Sequence, residues 1–237
     1  MTLKTKINID KILGFPVVLV LNFLCLLFRR KNVSRKVMIK NILICKFMGM
    51  GSIIQSTPLM ITLKNNYPNA QITFLTVNKN YELLRLFPFV NKILTLDESS
   101  VLRLILSTLH TFSYLLINRI DIFIDLEIYS FFSKIFVPLS LAKYRIGFFR
   151  IGSKILSGIY SNVLLFNSDA PVKNVYLEIA ALLGCKLMYE DLFDYNNVLY
   201  GANNSLNQNI FQNFNNGDYI VINPNASDLR IEKEMAC

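Results

Sequence analysis

At 237 residues, with 53% hydrophobic and 17% charged side chains, the chain is long enough for one large or two modest domains and can bury a substantial core. The net charge of +9 raises nucleic acid as a partner, but its placement speaks against one. Nine Lys/Arg and a single acid, Asp10, fall within residues 1–40, leaving 16 Lys/Arg against 15 Asp/Glu over a nearly neutral body. The four cysteines, Cys25, Cys45, Cys185 and Cys237, form no CxxC pair, which sets aside a metal cage or disulfide framework and fits a reducing compartment.

Residues 1–36 read as a basic, apolar arm. Lys4, Lys6 and Lys11 precede an apolar run over 12–28, and Arg29-Arg30-Lys31, Arg35, Lys36 and Lys40 follow it. As a helix the run reaches roughly 25 Å, slightly short of a bilayer core. It is followed by cations and not by a small-residue cleavage site, unlike a signal peptide. Three readings remain: a short spanning helix, a helix lying in the interface against an anionic membrane surface, or a buried core helix. The heavier positive charge after the run places the body on the cytoplasmic side of the inner membrane in either membrane reading.

Beyond the arm, strand-like and helix-like segments alternate over 37–195. Strands are expected at 41–47, 71–77, 92–96, 121–127, 145–148 and 163–166, the first of them almost wholly apolar as in a strand buried on both faces. Helices are expected at 53–66, 81–87, 99–118, 131–141 and 172–183, the last closed by Gly184. The βαβα order predicts an α/β fold with a Rossmann-like, doubly wound parallel sheet, in which ligands bind at the carboxyl ends of the strands. The single histidine, His110, falls inside the apolar stretch of the 99–118 helix and reads as a helix residue. Residues 196–218 read as a polar linker rich in Asn, Gln, Gly and Ser, and 219–237 as a strand and polar loop opening a second α/β domain whose body is missing.

Two places can carry chemistry. Gly49, Gly51 and Ser52 join the first strand to its helix, where glycine lets the backbone approach a ligand and a helix N-terminus offers unpaired N–H groups. Asp125 and Glu127 end the fourth strand two residues apart, hence on one face and near that turn. A buried carboxylate there can serve as a general base, with Glu127 the preferred candidate. The competing reading for each acid is capping of the next helix.

The blocks Met48-Gly49-Met50-Gly51-Ser52 with Ser56-Thr57-Pro58-Leu59, Tyr67-Pro68 to Thr73-Phe74-Leu75-Thr76, Ile124-Asp125-Leu126-Glu127, Arg145-Ile146-Gly147-Phe148 and Ile222-Asn223-Pro224-Asn225-Ala226-Ser227 occur in this order. Together, over about residues 36–233, they resemble glycosyltransferase family 9, the family of the lipopolysaccharide heptosyltransferases. The resemblance implies a GT-B arrangement of two Rossmann-like domains. The N-terminal domain receives a lipid-linked saccharide acceptor, and the C-terminal domain binds a nucleotide-sugar donor as substrate, with no cofactor and no metal. It implies an acceptor-side turn at Gly49, Gly51 and Ser52, a donor-side loop beginning at Asn225, Ser227 and Lys233, and Glu127, with Asp125, as the catalytic carboxylates. The other outcome is a non-catalytic, membrane-associated module that holds a saccharide or nucleotide.

Two departures from the family pattern bear on these implications. Ser52 stands where heptosyltransferases typically carry the aspartate that deprotonates the acceptor, so the sugar transferred need not be heptose. After Lys233 the chain runs Glu234-Met235-Ala236-Cys237 where the family has Trp and Pro. With the donor-side domain expected to be missing, this chain alone is expected to transfer little or no sugar.

Overall fold

In the computed structural model, described here for residues 10–27, 38–128, 130–149 and 158–187, six parallel strands form one sheet. The strands are β1 (Asn41–Cys45), β2 (Gln71–Val77), β3 (Lys92–Leu96), β4 (Ile122–Asp125), β5 (Tyr144–Phe149) and β6 (Asn162–Leu165). Their spatial order is β3-β2-β1-β4-β5-β6, the doubly wound α/β arrangement expected from the alternating pattern. The helices are α1 (Phe15–Leu27), α2 (Met50–Gln55), α3 (Thr57–Asn66), α4 (Tyr81–Leu84), α5 (Val101–Asn118), α6 (Phe131–Leu139) and α7 (Val172–Leu182). The expected linker at 196–218 and the strand and loop after it lie outside the described residues.

The near-continuous apolar character of β1 follows from burial on both faces. Ile42 and Ile44 join Ile72, Phe74, Ile122 and Ile124 under α3 and α7, while Leu43 and Cys45 face the opposite way with Leu75 and Phe123 under α5 and α6. Each fully buried Ile, Leu or Phe contributes about 1.5–3 kcal/mol by leaving water, so the central strands β2, β1 and β4 anchor the domain.

Among the boundaries that differ from the sequence reading, three lie at the carboxyl ends of β1 and β4. The helix expected at 53–66 begins earlier, at Met50, and is split at Ser56. Pro58, at the start of α3, has no N–H to donate to the carbonyl of residue 54, and the Ser56 hydroxyl instead donates to the Ile53 carbonyl at 2.6 Å. The first strand stops at Cys45, because the N–H groups of Phe47 and Met48 turn to a side chain. The fourth stops at Asp125, because the Glu127 N–H turns back onto the Asp125 Oδ1 at 3.0 Å.

Residues 10–27 pack against the domain. The Asp10 carboxylate accepts the N–H groups of Phe131 (2.8 Å) and Phe132 (2.6 Å) at the start of α6, where the helix has unpaired donors and a favourable dipole for an anion. Val18 is fully buried in the cluster that includes Phe136, Ile159 and Tyr160. Farther along α1, Asn22 and Leu26 press against Gly158, and Cys25 lies 3.8 Å from the Arg145 guanidinium. Contacts at both of its ends therefore lay α1 alongside α6.

At the amino end of the sheet, Asp121 ties three segments together. Its carboxylate accepts the N–H groups of Lys40 (2.9 Å) and Asn41 (3.1 Å) and pairs with Lys143 at 2.9 Å. Burial acts to raise this carboxyl, but those two N–H bonds and the Lys143 ammonium outweigh it and hold the group below its ordinary value. A depressed carboxyl stabilises the fold above its unfolded pKa and loses that contribution as pH falls through the folded one. Asp121→Asn is expected to cost about 1–2 kcal/mol at neutral pH. In urea titrations the gap between wild type and variant should close on acidification through the carboxylate range.

Candidate functional site

In a 3-2-1-4-5-6 sheet the strand order reverses between β1 and β4, and a crevice opens beyond their carboxyl ends. Both sequence-selected elements meet at that point. Residues 46–49 leave β1, and Glu127 leaves β4 and reaches across to them. The Glu127 Oε1 accepts the N–H groups of Phe47 and Met48, both at 2.7 Å, and lies 3.3 Å from the Lys46 ammonium. Glu127 is 1% exposed and Lys46 is 6% exposed, so this is an ion pair inside the protein, directly beneath the turn.

The carbonyls of Lys46 and Phe47 are satisfied from β2 and the residues just after it. The Thr76 hydroxyl donates to the Lys46 carbonyl at 2.6 Å, and the Asn80 amide donates to the Phe47 carbonyl and to the Thr76 hydroxyl, both at 2.8 Å. Polar backbone groups past the end of a strand must find partners when buried. Here Glu127, Thr76 and Asn80 supply them. The sequence reading did not single out Lys46, Thr76 or Asn80. The signal available for the last two was a threonine closing a strand with an asparagine four residues on.

Above this platform, Gly49 and Gly51 are exposed and Ser52 is half-buried. The two glycines differ. Gly49 has φ +86°, a conformation that side chains rarely adopt, and a Cβ there would meet the Ser52 hydroxyl at 3.1 Å. Gly51 lies within α2, and a Cβ on it would enter open space. The fold thus requires glycine at 49 and does not require it at 51. Tyr176 of α7 is buried on this side of the sheet, and its hydroxyl is pushed above its ordinary range, chiefly by burial and next by the Glu127 charge.

Asp125 is brought to a different face. It is fully buried and serves the α6 side, with Oδ2 accepting the Tyr160 hydroxyl at 2.7 Å and the Ser133 hydroxyl at 3.4 Å. The pleat argument that put both acids on one face ends with the strand at Asp125, and Glu127 points across β1 instead. Gly147 makes the Tyr160 contact possible. It pairs with Asp125 in the ladder, and the Tyr160 ring lies so close over it that a Cβ would collide with the ring carbons. This gives the glycine of Arg145-Ile146-Gly147-Phe148 a physical role. Lys134, 8% exposed, donates to the Ser130 carbonyl at 2.8 Å and brings a second buried cation near Asp125.

Burial pushes the Asp125 carboxyl up, against the Lys134 ammonium and the hydrogen bonds from Tyr160 and the Glu127 N–H, while the charge of Glu127 adds to the rise. The Cys45 thiol, fully buried on the same side, is raised well above its ordinary value by burial and by the Asp125 charge, so it is a core side chain and not a nucleophile. His110 is exposed on α5. A groove of about 620 Å³ lies at the other end of the sheet, lined by Lys40, Asn41, Asn66 and Tyr67 among others, away from the turn. Asn225, Ser227 and Lys233 lie outside the described residues.

No family model and no curated protein matches this sequence. Among solved structures, the fold is similar to that of a glycosyl transferase family 9 protein from Veillonella parvula, with a TM-score of 0.55 and 14% identity over 74% of this chain and 53% of that one. It is also similar to E. coli ADP-heptose lps heptosyltransferase II (TM-score 0.49, 22% identity, 60% of this chain and 40% of that one) and to E. coli heptosyltransferase WaaC with ADP (0.48, 14%, 63% and 49%). The chain spans about half the length of these structures. The first likeness shows the fold alone, a Rossmann-like parallel sheet with flanking helices.

Two predictions follow the geometry. Gly49→Ala should cost about 1–2 kcal/mol, because an L side chain is strained at positive φ, whereas Gly51→Ala should be neutral or stabilising by about 0.5–1 kcal/mol; thermal midpoints of the two variants check this. For Asp125 the sign is opposite to that of Asp121. A raised carboxyl binds protons more tightly in the folded state, so wild type should gain stability relative to Asp125→Asn as pH falls from the raised value toward the ordinary one, as read from urea midpoints.

Proposed function

We propose that this chain is the acceptor-side half of a family 9 glycosyltransferase acting in cell-surface polysaccharide synthesis. In this reading, sugar passes from a nucleotide-sugar to a lipid-linked saccharide at the cytoplasmic face of an anionic membrane. The observation that carries the reading is the Gly49–Ser52 turn seated at the strand-order reversal, with a carboxylate directly beneath it. The quoted sequence blocks and the likeness to the Veillonella parvula fold support it.

The chemistry is a single inverting displacement. An acceptor hydroxyl gives its proton to a carboxylate, its oxygen forms a bond to the anomeric carbon, and the bond from that carbon to the nucleoside diphosphate breaks, with the electron pair leaving on the diphosphate. Ser52 cannot take that proton near neutrality, and Glu127 is the carboxylate beneath the turn; Asp125 holds the wall behind it through Tyr160. Gly49, Gly51 and Ser52 face the acceptor. On the donor side, Asn225, Ser227 and Lys233 hold the nucleotide-sugar, and the arm over 12–28 keeps the protein at the lipid surface.

A second reading has its own observation. The Glu127 Oε1 already receives two N–H bonds and faces Lys46, which suits a fixed structural anion. The chain would then bind a saccharide or nucleotide without turnover. Glu127→Gln separates the two, since the glutamine carbonyl can still accept both N–H groups but cannot take a proton. In a protein that also carries a donor-side domain, without which this chain is expected to transfer little or no sugar, catalysis predicts turnover of a lipid-linked saccharide with a nucleotide-sugar by wild type, falling at least about 100-fold in the variant while acceptor binding persists. Acceptor binding by both proteins with turnover by neither establishes the binding module instead.

A further inference from the structure

Helix α5 is an anomaly for a crossover helix. Only two of its 18 residues, Thr111 and Leu115, are buried, and Leu102, Ile105, Leu106, Leu109, Leu116 and Ile117 are all more than 45% exposed. These positions fall on one side of the helix, along its whole length of roughly 27 Å. Patches this large and apolar on a soluble domain mark a docking surface. Helix α1 repeats the pattern. Phe15, Val18 and Asn22 face the domain, Phe15 through an edge contact with Phe131 of α6, while Val20, Phe23 and Leu27 face outward.

The two surfaces belong to one side of the molecule. Val18 of α1 and Leu115 of α5 enter the same core cluster, and α6 lies between their helices, its Phe136 stacked on Phe112 of α5 at 4.8 Å. We infer that α1 and α5 together form a membrane-docking face, on which the whole domain lies with both helices in the plane of an anionic bilayer surface. This extends the membrane part of the preceding reading and rests on that part alone, not on the sugar chemistry.

Charge selects the bilayer as the occupant. The arm carries nine Lys/Arg in the first 40 residues against one acid, and that acid, Asp10, is spent capping α6. The sequence on either side of α1 thus carries a large excess of cations over acids, the charge complement of anionic headgroups, beside an apolar helix suited to the acyl boundary. Residues 196–216, dominated by Asn, Gln, Gly and Ser, have the wrong composition to cover such a face. Spanning does not fit either. The helix α1 is fixed along the flank of the domain at Asp10, Val18 and Cys25, which holds it beside α6 and not across a bilayer.

The absence of tryptophan supplies a clean test. Single tryptophans are placed in the full chain at exposed positions as Phe23→Trp (α1), Leu109→Trp (α5) and Leu182→Trp (α7, on the opposite side of the sheet), with unchanged thermal midpoints confirming the fold. Each is mixed with phosphatidylglycerol-containing vesicles whose phosphatidylcholine is brominated in the acyl chains. The inference expects Phe23→Trp and Leu109→Trp each to lose more than about half of their fluorescence, since interfacial helices bury their apolar face about 5–10 Å deep, with Leu182→Trp unchanged. Quenching at Phe23→Trp alone overturns it while leaving membrane attachment through the arm intact. No co-sedimentation with vesicles overturns both the inference and the membrane reading. A lipid-independent, concentration-dependent blue shift at Leu109→Trp also overturns it, assigning the face to a second copy of the chain.

Discussion

The arrangement at the carboxyl end of the sheet depends on one carboxylate that bridges two strands. Glu127 leaves β4 and takes the first two free N–H groups beyond β1, so the turn carrying Gly49 and Ser52 is fixed to the neighbouring strand and not only to its own. Lys46 balances the charge from beneath, and Thr76 with Asn80 satisfies the turn's carbonyls from β2. Three adjacent strands thus share one polar platform. Because every member is bonded, burying these groups is not a net penalty of the size that unpaired ones would impose.

Around that platform the two faces of the sheet take different roles. The α3 and α7 side is closed by a continuous apolar core that includes Tyr176. On the other side, Asp125, Tyr160, Ser133 and Lys134 form a second buried polar group, supported by Gly147 giving way to the Tyr160 ring. The N-terminal arm enters there through Asp10, which completes the cap of α6 begun by Ser130. The ends of the sheet also differ electrostatically. Asp121, at the amino end, is stabilised as an anion, whereas Asp125, at the carboxyl end, is penalised as one.

That contrast fits the division of labour in α/β folds. At the amino end, a carboxylate that gathers N–H groups and a lysine holds segments together. At the carboxyl end, the protein keeps buried charges close to an exposed glycine turn, and perturbed titratable groups concentrate where ligands bind. The two glycines show the same separation within four residues of chain: Gly49 answers to backbone conformation, and Gly51, with open space around it, is left to whatever approaches the turn.

The sequence by itself determined the element order. Strands β2 and β3 run over the residues expected from their apolar runs, and β1, β4, α5, α6 and α7 start or stop within two residues of expectation, because burial on both faces and helical periodicity are written locally. It also selected Gly49, Ser52 and Glu127, since a glycine turn after a buried strand and an acid at a strand end are local signals. What only the tertiary structure decided was where side chains reach. That Glu127 crosses to β1 while Asp125 turns to Tyr160, that Lys46 and Asn80 complete the platform, and that Asp10 docks the arm on α6 are contacts between residues 33 to 122 positions apart. Sequence periodicity reports which face a residue occupies within its own element. It carries no information on which distant backbone group lies opposite, and that is set by the sheet order and the packing of helices upon it.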